Sequence, residues 1–398
     1  MMRRLDEALS WLIGRAAAPT ATEHLPIAQA LGRVLAEAVY SPLQVPAFDN
    51  SQMDGYAVRA SDTAGGVVLP ISQRVAAGSV PLPHEAQSAA RIFTGAPIPP
   101  GADAVVMQED TQLVDGASIR VLSAVRPGQF VRRAGGDIEK GQQVFAAGQR
   151  LSAADIGLLA SIGLEGATVF RLIRVGVFSS GDELLQPGET LGQGQIYDSN
   201  RPMVMSLVRG LGLSVSDLGT LPDDLEQTRG RLAQAGASLD VLLTCGGVSV
   251  GEEDHIKAAV SAEGQLDLWQ IAIKPGKPFA YGRVGQAAFL GLPGNPVSAW
   301  VTFVLLVRPY LLRASGVSVV EPMAHWVPAG FDKPQPDARQ EFLRASLDER
   351  GRAILHGRQD SQVLSSIGQS EGLLEVPIDT PVRQGDLLRF FPFSSLLH

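Results

Sequence analysis

The feature that most constrains this chain is the rhythm of residues 172–316, where short apolar runs alternate with amphipathic stretches and glycine-bearing turns. The pattern predicts strands over 172–178, 213–218, 240–244, 266–273 and 287–290. Helices are predicted from 200–202, where Val204, Leu207, Val208 and Leu211 share a face, from Asp223 or Asp224, from about Asp254, and from Pro296. Alternation of this kind implies a mostly parallel sheet covered on both faces, whose buried strands are apolar throughout. Ligands of such doubly wound α/β sheets lie at the carboxyl ends of the strands.

The texture elsewhere differs. Leu5, Ala8, Leu9, Leu12 and Ile13 follow helical spacing, and Ile27, Ala30, Leu31, Val34 and Leu35 suggest a second helix. From Ser41 to about Arg133, short Val- and Ile-rich runs between prolines and glycines read as a β module. Ser152 and Asp155 form a capping box ahead of Ile156 and Leu159, so a helix returns. Past Glu321, alternating runs such as 373–376 and 387–391 suggest a small β-barrel. The expected class is therefore multi-domain α/β. Residues 1–40 plus 137–171 would form a helical and linker domain and 41–136 an inserted β-rich domain. Residues 172–320 would form the α/β domain and 321–398 the C-terminal β domain.

Several function classes drop out. With 41 acidic residues against 33 basic ones the net charge is −8, so nothing favours a general nucleic-acid surface. A bound anion must instead be held by local cations working against the overall field. Cys245 is the only cysteine, which excludes an internal disulfide and a multi-cysteine metal site. No HExxH pair or Walker loop occurs. Asp6 and Glu7 interrupt the apolar stretch that a signal peptide would need after MMRR. The best candidate for a membrane span, 296–307, stops at Arg308 and Pro309, short of the ~18–20 apolar residues that cross a bilayer. A cytoplasmic protein without a membrane partner is expected.

Chemistry concentrates in loops at predicted strand ends. TCGGVSVGEED (244–254) offers Gly246, Gly247 and Gly251, where backbone amides can approach an anion, with the Ser249 hydroxyl and a following helix start. A tight strand-to-helix turn would also use glycines, and Asp254 could be a plain helix cap. KPGKP (274–278) holds Lys274 and Lys277 on a proline-stiffened turn, which suits a tetrahedral oxyanion. SSGDEL (179–184) presents Asp182 and Glu183, and Asp223 and Asp254 stand at other strand ends. Carboxylates converging on one rim would suit Mg²⁺ held partly through water and phosphate, whereas helix caps would use the same residues. In LPGNP (292–296), Pro293 and Pro296 can only shape a pocket.

These loops together resemble one family. FDNSQMDGYAV, RIFTGAPIPPGADAVVMQED, RRAGGDI, SSGDEL, GQIYDSN, TCGGVSVGEED, KPGKPFAYG and LPGNPVSA occur in the order found in the molybdopterin molybdenumtransferases. These are the molybdate-inserting enzymes of molybdenum cofactor synthesis, related to the E domain of gephyrin. The resemblance implies adenylylated molybdopterin and molybdate as substrates, Mg²⁺ as cofactor, and AMP as a product. It also implies an elongated homodimer, and it admits molybdopterin adenylyltransferase and other cofactor-synthesis proteins as partners. By the same resemblance, the site acids are Asp54, Asp137, Glu183, Asp223 and Asp254, with Glu183, Asp223 and Asp254 taken as metal ligands. Thr94 and Arg132 line the cleft, and Lys274, Lys277 and Ser249 bind oxyanion. Arg344 and Ser365 match through an alignment that can shift by one residue. Two other readings stay open: an adenylyltransferase that consumes ATP, and a peptide-binding scaffold without catalysis.

Overall fold

The computed structural model describes residues 2–248 and 255–397. Its central sheet runs Ser214–Leu221, Arg174–Ser180, Val241–Cys245, Ala287–Leu292, Pro278–Val284, Gly264–Gln270. The first four strands are mutually parallel, and Pro278–Val284 runs antiparallel to both of its neighbours. Side chains alternate across the sheet because successive residues of a strand face opposite sides. Val241, Leu243 and Cys245 enter a large core with Val175, Val177 and helices Asn200–Gly210 and Pro296–Thr302. Leu242, Phe178 and Phe289 enter a second core beneath helices Leu225–Gly236 and His255–Glu263. Asp224 caps Leu225–Gly236 by accepting from the Gln227 amide at 2.8 Å. The strand Pro278–Val284 escapes sequence reading because Pro278 looks like loop. Proline is tolerated as the first residue of a strand, where its missing N–H costs no ladder bond.

The apolar helix does not stop at Arg308. Pro296–Ala314 is continuous, with a π-turn at Phe303–Val307 just before Arg308 and Pro309. Widening the turn is one way to accommodate a residue that has no N–H to give. Although long and apolar enough to cross a membrane, this helix is 94% buried inside the protein.

Two expectations for the first 40 residues need correction. Helix Leu5–Ile13 forms, but Ala8 and Leu12 pack into the α/β core, so the helix does not group with residues 137–171. The second helical stripe is not a helix. Thr22–Pro26 is a strand antiparallel to Gly166–Phe170, Ile27–Gln29 is a single 3-10 turn, and Leu35 bridges to Val169. Ala30 and Leu35 are buried with Phe145, Leu151 and Leu159, whereas Leu31 is exposed. Gly32, in the left-handed region at φ +75, breaks the run at its centre.

The β-rich segment forms a six-stranded sheet in the order Ala104–Met107, Gly55–Val58, Ala89–Ile92, Val68–Val75, Ser118–Val121, Thr111–Leu113. At the C-terminal end, Gln340–Leu347, Gly372–Val376, Leu387–Pro392 and His325–Pro328 pair in sequence, and Ala353–Leu355 pairs with the first of them. A bridge between Ala329 and Ala353 closes these strands into a small barrel around Leu343, Leu374 and Phe390. The short strand Ile273–Lys274, from the α/β segment, pairs parallel with Gln340 and Glu341 and so joins the two bodies.

Candidate functional site

Three loops meet at the carboxyl ends of the parallel strands. The Gly246 amide donates to the Leu292 carbonyl at 3.0 Å, tying the loop after Val241–Cys245 to the one after Ala287–Leu292. Gly246 has φ +93, and a Cβ there would lie 2.9 Å from the Ser180 carbonyl oxygen. Gly247 has φ +67, and its Cβ would meet Ile256 Cδ1 at 2.2 Å. Only glycine permits both the backbone conformation and this closeness. Asn200 Nδ2 donates to the Gly294 carbonyl at 2.6 Å, adding a helix start to the same rim. Pro293 is buried and Pro296 opens the long helix. The rim thus gathers Gly246, Gly247, Pro293 and Pro296. Ser249, Gly251 and Asp254 lie outside the described residues.

Glu183 sits on this rim. Its exposed carboxylate folds over Gly181, where an added Cβ would lie 2.5 Å from Oε2. Asp223 follows the edge strand and accepts from or pairs with His255 Nε2 at 3.2 Å, at the start of the helix that succeeds the glycine loop. Among the described residues, no three His, Cys, Asp or Glu side chains are grouped as a metal site.

A second group lies on the β-rich segment. The Thr94 amide and hydroxyl each donate to Asp54 Oδ1 at 2.8 Å, and these bonds hold the Asp54 carboxyl below its ordinary range. Arg132 is exposed and paired in register with Asn50. Asp137 is exposed, with its amide bonded to the Val45 carbonyl at 3.0 Å. No described hydrogen bond or ion pair within the chain joins these four residues to the α/β rim.

The lysines have unequal surroundings. Lys274 Nζ contacts Asp337 Oδ2 at 2.8 Å and Glu341 Oε1 at 3.1 Å. The hydrogen bond to Asp337 raises the Lys274 pKa against partial burial, with Glu341 adding to the effect. Burial pulls the Asp337 carboxyl upward, but hydrogen bonds from Lys274 and Arg339 prevail and hold it at about 2. Lys277 is exposed and makes no ion pair with a described residue. The turn between them is packed tightly, since a Cβ on Gly276 would meet Thr302 Oγ1 at 2.6 Å.

Arg344 is fully buried. Its Nε donates to Ser366 Oγ at 3.2 Å and its Nη2 to the Asp360 carbonyl at 3.3 Å, while Nη1 has no partner. Burial lowers its pKa to about 10. Ser365 is exposed; the buried hydroxyl that meets Arg344 belongs to Ser366, one residue later. The neighbouring Ser361 accepts from Asn295 Nδ2 at 3.1 Å, and its carbonyl accepts from the Val297 amide at 3.0 Å. Arg344 therefore braces the barrel loop that seats the LPGNP turn.

Residues 3–163 match the family described as MoeA N-terminal region (domain I and II), 176–313 the probable molybdopterin binding domain, and 327–393 the MoeA C-terminal region (domain IV). A molybdopterin molybdenumtransferase of Haemophilus influenzae is 40% identical, with 100% of both chains covered. The chain belongs to the molybdopterin molybdenumtransferase family. Molybdopterin molybdenumtransferase 2 of Mycobacterium tuberculosis is 37% identical, covering 89% of this chain and 91% of that one. The molybdopterin biosynthesis MoeA protein of Pyrococcus horikoshii OT3 has a TM-score of 0.85 at 30% identity, covering 98% of this chain and 100% of that one.

Sequence reading missed a buried network behind the rim. Arg201 donates through Nε to Asp198 at 3.2 Å, through Nη1 to Asp217 at 2.7 Å, and through Nη2 to Gln186. Asp198 and Arg201 are almost wholly buried and fix the loop that follows Glu183. The GQIYDSN segment was the available signal, but the partners come from three separate stretches. The partners of Lys274 were missed for the same reason. Cys245 is buried in the core, and desolvation pushes its thiol far above its ordinary range.

Proposed function

We propose that this chain inserts molybdate into adenylylated molybdopterin and releases AMP. The observation that carries the reading is the convergence of Ser180, Gly246 and Gly294 at the carboxyl ends of three parallel strands. This is where an α/β sheet binds its ligand. The glycine loop would present amides to the phosphate bridge, and Lys277 and Lys274 would take the molybdate oxyanion. Cleaving the bridge consumes one water and leaves AMP on one side and the pterin phosphate on the other. The dithiolene sulfurs that receive molybdenum belong to the substrate, so the buried Cys245 has no part in the reaction.

Glu183 and Asp223, with Asp254, would hold Mg²⁺. The exposed carboxylates fit a hydrated Mg²⁺, which takes one or two protein oxygens and completes its shell with water and phosphate. Bound there, it would offset charge on the phosphate bridge. Asp54, Thr94, Arg132 and Asp137 would complete the cleft from a second copy in a homodimer acting in the cytoplasm, since nothing described connects them to the rim of their own chain.

The test is incubation of the purified chain with adenylylated molybdopterin, molybdate and Mg²⁺, following AMP by chromatography. AMP release dependent on molybdate, with added ATP left intact, is expected. ATP consumption without AMP release would make the chain an adenylyltransferase instead. Mixing inactive Asp54→Asn and Glu183→Gln chains should restore part of the activity if each cleft draws on two copies.

A further inference from the structure

We propose that the C-terminal barrel latches the oxyanion subsite: Asp337 and Glu341 hold Lys274 as an internal counterion pair, and an arriving oxyanion must compete with them for its ammonium. The inference rests on the functional reading above and names a regulation of that same site.

Two lysines three residues apart on one stiff turn would be expected to behave alike. They do not. Lys277 has no described ion-pair partner, whereas Lys274 is engaged by two carboxylates of the barrel at 2.8 and 3.1 Å. The arrangement is built by the backbone, because Ile273–Lys274 pairs with Gln340 and Glu341 in register, placing Lys274 directly beside Glu341. Glu341 is 2% exposed and also forms an ion pair with Lys333 at 2.5 Å, so it cannot swing away to solvent. Asp337 is oriented by Arg339, which donates from its amide at 3.0 Å and from Nε at 3.2 Å. Lys274, Lys333 and Arg339 face Asp337 and Glu341, three positive charges against two negative. The ammonium of Lys274 is thus kept charged and aimed, but its charge is spent on the barrel until a stronger anion competes. A doubly charged tetrahedral oxyanion can compete, because the Lys274 side chain remains 46% exposed. Lys277 would make the standing contact and Lys274 the conditional one. Asp337 and Glu341 are positioning residues in this scheme and touch no substrate.

The test measures molybdate binding to the full chain by calorimetry at fixed ionic strength, without pterin. Asp337→Asn keeps the shape of the side chain and one oxygen for Arg339. Removing one negative charge beside the oxyanion should tighten binding by about threefold to tenfold at surface-like dielectric. The gain should vanish when Lys274→Gln is present as well, since the latch acts only through that ammonium. Unchanged or weaker binding in Asp337→Asn overturns the latch, as does an equal gain in the Lys274→Gln background, which would mark a general field effect. Glu341→Gln serves as a second variant with the same expectation, checked for folding by its thermal transition. No molybdate binding by the wild-type chain overturns both latch and function. Tightened binding without AMP release would leave the latch standing and defeat the functional reading.

Discussion

Replacing Asp240 by Asn tests how the α/β sheet is anchored at the end opposite the site. Asp240 precedes strand Val241–Cys245 and accepts from Arg171 Nη1 and Nη2, both at 2.8 Å, and from the Arg174 amide at 2.7 Å. Burial alone would raise its carboxyl, but the Arg171 and Arg174 hydrogen bonds prevail and depress it from 3.8 to about 2. At about 1.4 kcal/mol per pH unit that depression corresponds to roughly 2.5 kcal/mol. Solvent screening at the 20% exposed side chain reduces the expected contribution to roughly 1–2 kcal/mol. The sign follows from linkage: a depressed carboxyl binds fewer protons folded than unfolded. Its contribution is complete above pH ~4 and is lost as pH falls through about 2. Asp240→Asn should therefore weaken hydrogen-exchange protection of Val241–Cys245 by ~10-fold at pH 6. The gap from wild type should close toward pH 2. A gap of equal size at both pH values would refute the electrostatic account and leave packing as the cause. Local exchange is the suitable assay because a chain of several cores need not unfold in one step.

Gly247→Ala should cut molybdate-dependent AMP release at least tenfold, because its Cβ would meet Ile256 at 2.2 Å and shift the loop. Gly65→Ala is the control: at φ +75 with nothing within 4 Å, it should cost only about 1–2 kcal/mol of backbone strain and leave turnover alone. Equal losses in both variants would refute the role of the rim. His84 is buried with neither ring nitrogen bonded, and burial first, then Arg59, lowers its pKa below 6.5. The stability of the β-rich sheet should hold above pH ~6.5 and decline as pH falls further, when the unfolded chain takes up the proton more readily. His84→Leu should flatten the melting temperature between pH 7 and 5; a wild-type profile already flat there would refute the reading.

Much of the α/β body could be read from local pattern. Strands such as Val241–Cys245 must be buried on both faces and so are apolar throughout, and Asp224 and Ser152 mark helix starts through bonds only three residues long. The stripe Ile27 to Leu35 misled because its helical spacing carries no information about the strand Gly166–Phe170, some 140 residues away, that claims its neighbours. Loop chemistry was legible as residue type but not as company. Glycine at 246 and 247 signals a close approach, and only the fold says that Ser180 and Ile256 are what approaches.

What the sequence determined by itself was therefore the alternation of elements, their caps, and the inventory of charged and flexible loops, all set by interactions within a few residues. Tertiary structure alone decided who meets whom. It parted Lys274 from Lys277 by giving one of them Asp337 and Glu341, and it sealed Arg344 behind Ser366. Ion pairs between residues more than sixty positions apart depend on sheet register and domain packing, and no local spacing encodes those.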